Sequence, residues 1–94
     1  MNFGEAVRDL ADLPRKATIY VPHDVTEVGE QTPVVLVLGG EQPPEGWRYL
    51  LEVLIAREVL EVWMSWRDNR VPSLREACAA IAYYADNDAY QLED

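Results

Sequence analysis

The stretch Trp47-Arg48-Tyr49-Leu50-Leu51-Glu52-Val53-Leu54-Ile55 decides the fold. Trp47, Tyr49, Leu51, Val53 and Ile55 alternate with Arg48, Leu50, Glu52 and Leu54, the period of a strand. Leu50, Leu51, Leu54 and Ile55 also suit a helix that starts early. The strand reading makes three strands in the chain. The alternation favours the strand, and the rest of the chain is read outward from it.

Downstream, Ala56 to Asn69 reads as a helix with Val59, Val62, Trp63 and Trp66 on its inner stripe and Leu60 and Met64 on the flank. Arg57 and Glu61 lie four apart, and an exposed pair there contributes about 0.3–0.5 kcal/mol. Asp68-Asn69-Arg70 is a turn. The clearest helix follows, from Pro72 to Asp88. Ser73 and Glu76 form a capping box, and Leu74, Ala77, Cys78, Ile81, Tyr84 and Ala85 fall at helical spacing. Asp86-Asn87-Asp88 supplies a helix stop, since Asn tolerates the left-handed conformation. Ala89 to Leu92 suits a short strand, and Glu93-Asp94 a charged end.

Upstream, Val34 to Leu38 is apolar at every position, which predicts a central strand covered on both faces. Lys16 to Val21 is a strand rich in β-branched and aromatic residues, closed by Pro22. Asn2 caps a first helix with Phe3, Ala6, Val7 and Leu10 on one stripe and Glu5 in its first turn; Pro14 ends it. The element order is α-β-β-β-α-α. Both inter-strand loops are too short for the helical crossover of a parallel pair, which predicts an α+β fold with a three-stranded antiparallel sheet packed by helices. At 94 residues the chain reads as a single domain.

Seventeen acids stand against eight bases, a net charge of −9. That disfavours nucleic acid and anionic membranes and favours a basic protein partner. The single cysteine excludes an internal disulfide. The opening Met1-Asn2-Phe3-Gly4-Glu5-Ala6 lacks the basic region of a signal peptide, and no apolar run nears the ~20 residues of a membrane span, so the expected location is cytoplasmic.

The sequence carries no catalytic set. Cys78 sits among alanines, where burial makes a thiol inert. His23 is the one histidine, beside Asp24, with no serine near in sequence. There is no CxxC and no second histidine for zinc, and Asp86, Asp88, Glu93 and Asp94 lack calcium-loop spacing, so no metal or cofactor is expected. Gly39-Gly40 is a turn, because no phosphate-loop pattern surrounds it. Trp63 and Trp66 do not both fit a narrow stripe, and Tyr83 and Tyr84 point in different directions, which leaves one of each pair to reach the surface.

Leu13-Pro14, Ile19-Tyr20, Thr32-Pro33, Tyr49-Leu50, Pro72 to Glu76 and Ile81 to Tyr90 together resemble the pattern of a family of small bacterial α+β proteins of unknown function. The matching positions are caps and core residues, and the resemblance brings no catalytic residue with it. In size and charge the chain is also similar to immunity proteins of bacterial toxin systems and to phage-encoded inhibitors. The expected function is therefore non-enzymatic: an acidic inhibitor of a basic partner such as a toxic nuclease or a host defence protein. The expected contacts are Asp24, Glu27 and Glu30 of the first loop, Asp86 and Asp88 after the last helix, and Trp66 and Tyr84 as apolar anchors. The rival expectation is a homodimer built on the flank of the Ala56–Asn69 helix, with Met64 and one Trp.

Overall fold

The computed structural model describes residues 1–91. In it the deciding stretch divides. Trp47–Glu52 is a strand, β3, and Val53–Ser65 is a helix, α2, which starts three residues earlier than the pattern suggests. The alternation fails at a β-bulge. In the pairing with the first strand, β1 (Ala17–Pro22), Tyr20 faces Tyr49 but Ile19 faces Leu51, and Leu50 is the extra residue. Leu50 and Leu51 both turn into the core, while Tyr49 stays 51 % exposed. Val53, the first residue of α2, is then fully buried.

The order α-β-β-β-α-α holds, with α1 at Phe3–Arg8, a short 3-10 turn at Leu10–Asp12, β2 at Val35–Leu38 and α3 at Leu74–Asn87. All strand pairings are antiparallel, but the strand order is β2-β1-β3. The central strand is therefore β1, and the Val34–Leu38 run is an edge, contrary to the expectation of a central strand covered on both faces. Leu38 is 44 % exposed there. The reason lies in the following connection. Leu38 stands opposite Ala17, at the start of β1, whereas Trp47 stands opposite Pro22, at its end. Residues 39–46 must travel the length of β1, and all of them are exposed. Eight extended residues reach about 26 Å against about 20 Å for a six-residue strand, so the span needs no helix. Gly40 and Gly46 turn the chain at its two ends with φ of 88° and 84°.

The helices lie on one face of the sheet. Ala17, Ile19 and Val21 alternate inward from β1 and share one core with Phe3, Ala6 and Val7 of α1, Val53, Ala56, Val59 and Trp63 of α2, and Ala77, Cys78, Ala80 and Ile81 of α3. Phe3, Ile19, Leu51 and Ile81 are among the fully buried side chains, each contributing about 1.5–3 kcal/mol by burial.

Of the three α-helices, α1 and α3 start with capping boxes, while α2 follows β3 directly with no side-chain cap. Glu5 N–H donates to Asn2 Oδ1 (2.8 Å) and Asn2 N–H to Glu5 Oε1 (2.9 Å); Glu76 N–H donates to Ser73 Oγ (3.1 Å) and Ser73 N–H to Glu76 Oε1 (3.0 Å). The α3 stop is Asp88 rather than Asn87: Asp88 takes the left-handed conformation (φ 51°) and its N–H donates to the Tyr84 carbonyl (2.8 Å). Ala89 to Gln91 form no strand, and Leu92, Glu93 and Asp94 lie outside the described residues.

Two expected side-chain placements change. Arg57 does not pair with Glu61. It donates to the carbonyls of Leu10 (3.2 and 3.1 Å), Ala11 (3.3 Å) and Leu13 (2.8 Å), fastening the 3-10 turn to α2. Trp66 leaves the inner stripe because the helix ends at Ser65, and its side chain is 65 % exposed. No helix among the described residues is long and apolar enough to cross a membrane.

Candidate functional site

The loop after β1 is held by the N-terminus. Phe3 N–H donates to Thr32 O and Gly4 N–H to Glu30 O (both 2.8 Å), and Val34 N–H donates to Met1 O (3.0 Å). Gly29 N–H donates to Thr32 Oγ1 (2.8 Å), and Arg48 reaches back to the Val25 carbonyl (2.8 Å). These bonds fix the loop's course beside α3. A cleft of 330 Å³ opens between the two, lined by Glu27 and Val28 of the loop, Leu50 of the β3 bulge, Ala79, Ala82, Tyr83, Asp86 and Asn87 of α3, and Gln91 after it.

The cleft joins two of the acids singled out in the sequence. Glu27 and Asp86 are both exposed, and no Lys or Arg lines the cleft among the described residues. Arg48 is held by the Val25 carbonyl, and exposed Arg75, one turn before Ala79 on α3, lines an adjoining concavity with Trp63, Glu76, Ala79 and Gln91. Small Ala79 and Ala82 leave the space open, and buried Leu50 forms an apolar floor.

The remaining expected residues lie outside the cleft lining. Asp24 sits exposed in the turn after β1. Glu30 is half-buried, with its carbonyl on Gly4 and its charge close enough to Cys78 to raise that thiol. Asp88 is the exposed α3 cap. Trp66 lies at the opposite end of α3 from Asp86, because it precedes the turn into Ser73. Tyr84 is half-buried and stacks on Tyr90, ring centroids 5.2 Å apart. The aromatic side chain at the cleft is its neighbour Tyr83, 41 % exposed. Consecutive helix residues point about 100° apart, so the pair divides between core and cleft. Leu50, Val28 and Gln91 carried no signal in the sequence, because each enters through a tertiary contact.

Cys78 is buried, and burial, helped by Glu30, pushes its thiol up to about 11. The His23 side chain is exposed and makes no hydrogen bond among the described residues. Burial, then the Glu52 charge, raises the Tyr49 hydroxyl; a hydrogen bond to Glu58 (2.8 Å) raises that of Tyr90. Trp63 is buried beneath the guanidinium groups of Arg67 and Arg70, 4.2 and 4.7 Å from its ring centroid. Among the described residues, no group of three or more His, Cys, Asp or Glu is placed to hold a metal ion.

A second concavity of 390 Å³ is apolar. Val7 and Arg8 of α1, Leu60 and Met64 of α2, and Val71, Pro72, Ser73, Leu74 and Ala77 line it. Val71 stands 78 % exposed at its edge. Trp66 does not share this surface with Met64: two residues on, it points about 200° round the helix.

Comparison of the chain with protein-family models, with curated proteins and with solved structures finds no match.

Proposed function

We propose that the protein is a non-enzymatic binding module that neutralises a basic protein partner, in the manner of an immunity-type inhibitor acting in the cytoplasm. The observation that supports this reading most is the meeting of Glu27 and Asp86, from distant parts of the chain, at one cleft whose lining holds no Lys or Arg among the described residues. A net charge of −9 adds a long-range field that speeds encounter with a cationic surface. The partner's class stays within the two expected from the sequence, a toxin such as a nuclease or a host defence protein. The family resemblance belongs to the same proposal.

The test is capture of the partner on immobilised protein at low salt, followed by affinity measurement on the purified pair. The reading expects a basic partner, an association rate that falls steeply with salt, and weaker binding by the E27Q/D86N double variant. Complementary exposed charges act mainly on association rate. A partner that binds the double variant as fast and as tightly as the parent refutes the assignment of the cleft.

The apolar groove supports a second reading, a homodimer. Val71 and Leu74 border the hollow formed by Val7, Leu60 and Met64, so a knob and a hole lie on one surface, as a two-fold interface requires. Light scattering at high micromolar concentration tests it, and a monomer there rejects it.

A further inference from the structure

We infer that the cleft between the Glu27 loop and α3 is a receptor for one arginine side chain of the partner; the inference rests on the binding-module reading and specifies its central contact. The size of the cleft limits the occupant. At 330 Å³ it lies at the lower end of the range of about 300–1,000 Å³ in which small-ligand clefts fall, suited to one long side chain and too small for a helix or strand.

The lining selects the chemistry. Val28, Leu50, Ala79 and Ala82 present methyl groups along the walls, which suit a methylene stem. Glu27 and Asp86 are exposed residues of the lining, and a carboxylate can hold a planar guanidinium in a bidentate pair. The Tyr83 ring offers a face, and no cation of the described chain occupies it. Trp63, by contrast, already carries Arg67 and Arg70. The Asn87 amide donates to the Tyr83 carbonyl (2.9 Å), which leaves its oxygen as a further acceptor. Arginine meets this arrangement better than lysine. Its guanidinium is more weakly hydrated, stacks on aromatic faces and carries five donors in one plane.

The experiment is an NMR titration of the isotope-labelled full chain with Nα-acetyl-arginine amide. Nα-acetyl-lysine amide and sodium chloride at matched ionic strength serve as controls. The expected result is a set of amide shifts concentrated at Val28, Leu50, Ala79, Tyr83 and Asn87, with the arginine probe binding about threefold or more tighter than lysine. E27Q/D86N abolishes the localised shifts, Tyr83→Leu weakens the arginine preference, and Tyr83→Phe keeps it. Ala79→Leu, at an exposed position, fills the cleft and blocks the probe without changing any charge. Equal response to arginine and lysine, shifts spread over all acidic surfaces, or unaltered binding by Ala79→Leu each overturns the inference. If that happens while a basic partner still binds through Glu27 and Asp86, the binding-module reading survives with a different occupant; loss of both results rejects both.

Discussion

Replacing Arg57 tests how the front of the molecule is held to its centre. Its guanidinium makes four hydrogen bonds to the carbonyls of Leu10, Ala11 and Leu13. The Ala11 contact is exposed and water replaces it at little cost. The contacts to Leu10 and Leu13 are partly buried, and Leu10 O keeps a weaker bond from Leu13 N–H at 3.3 Å. A hydrogen bond to a charged group contributes about 1.5–3 kcal/mol, so two partly buried carbonyls, one with a substitute donor, set the loss in Arg57→Ala at about 2–3 kcal/mol. In a domain of this size each kcal/mol moves the midpoint by about 4–8 °C, which makes the expected fall about 10–20 °C. Urea unfolding at neutral pH, followed by circular dichroism, measures the free-energy loss, and a thermal scan measures the fall in midpoint. Arg57→Lys keeps the charge but one ammonium cannot span three carbonyls, so it recovers about half of the loss. Glu61→Ala stays within about 0.5 kcal/mol of the parent, because Glu61 is exposed and does not hold Arg57. An Arg57→Ala loss below about 0.5 kcal/mol, or a Glu61→Ala loss equal to it, refutes the argument.

Three further outcomes follow from the same reasoning. Gly4→Ala brings a Cβ to 3.1 Å from the Glu30 carbonyl oxygen, which the Gly4 N–H already holds at 2.8 Å. The gain in helix propensity of up to about 1 kcal/mol is then outweighed, and thermal unfolding should show a net loss. Asp88→Gly relieves a left-handed non-glycine residue at the α3 stop and raises stability by about 1 kcal/mol in urea; an unchanged or lower stability contradicts this. Arg70, followed by the Ser73 N–H, lowers the Glu76 carboxyl to about 2 from an ordinary 4.5. A carboxyl lowered on folding stabilises fully above its unfolded value and loses that contribution as pH falls towards its folded one. The stability difference between the parent and Glu76→Gln should therefore shrink from pH 4.5 to 2, and a constant difference across that window contradicts the assignment.

The local features were legible in the sequence. The Ser73–Glu76 box, the Asn2 cap and the apolar stripe of α3 are decided by residues within a turn of one another. The strand reading of Trp47 onward was legible too, but its end was not. The bulge at Leu50 is a property of the pairing with Ile19 and Tyr20, not of the stretch itself. Arg57 shows the same limit: its sequence neighbour Glu61 suggested a partner, and carbonyls from a distant segment took the place.

For the candidate site, the sequence named Glu27 and Asp86 among other acids by charge alone, and it left Tyr83 and Tyr84 undecided. The split between those two follows from which side of α3 meets the β1–β2 loop, a matter of packing.

By itself, then, the sequence determined an acidic α+β chain with three antiparallel strands and capping boxes on its first and last helices, because caps, periodicity and charge are short-range or additive. Only the tertiary structure decided that β1 is central, that residues 39–46 run its length, and that Glu27, Tyr83 and Asp86 share a cleft. Those outcomes depend on which surfaces are buried against one another, and no local signal carries that information.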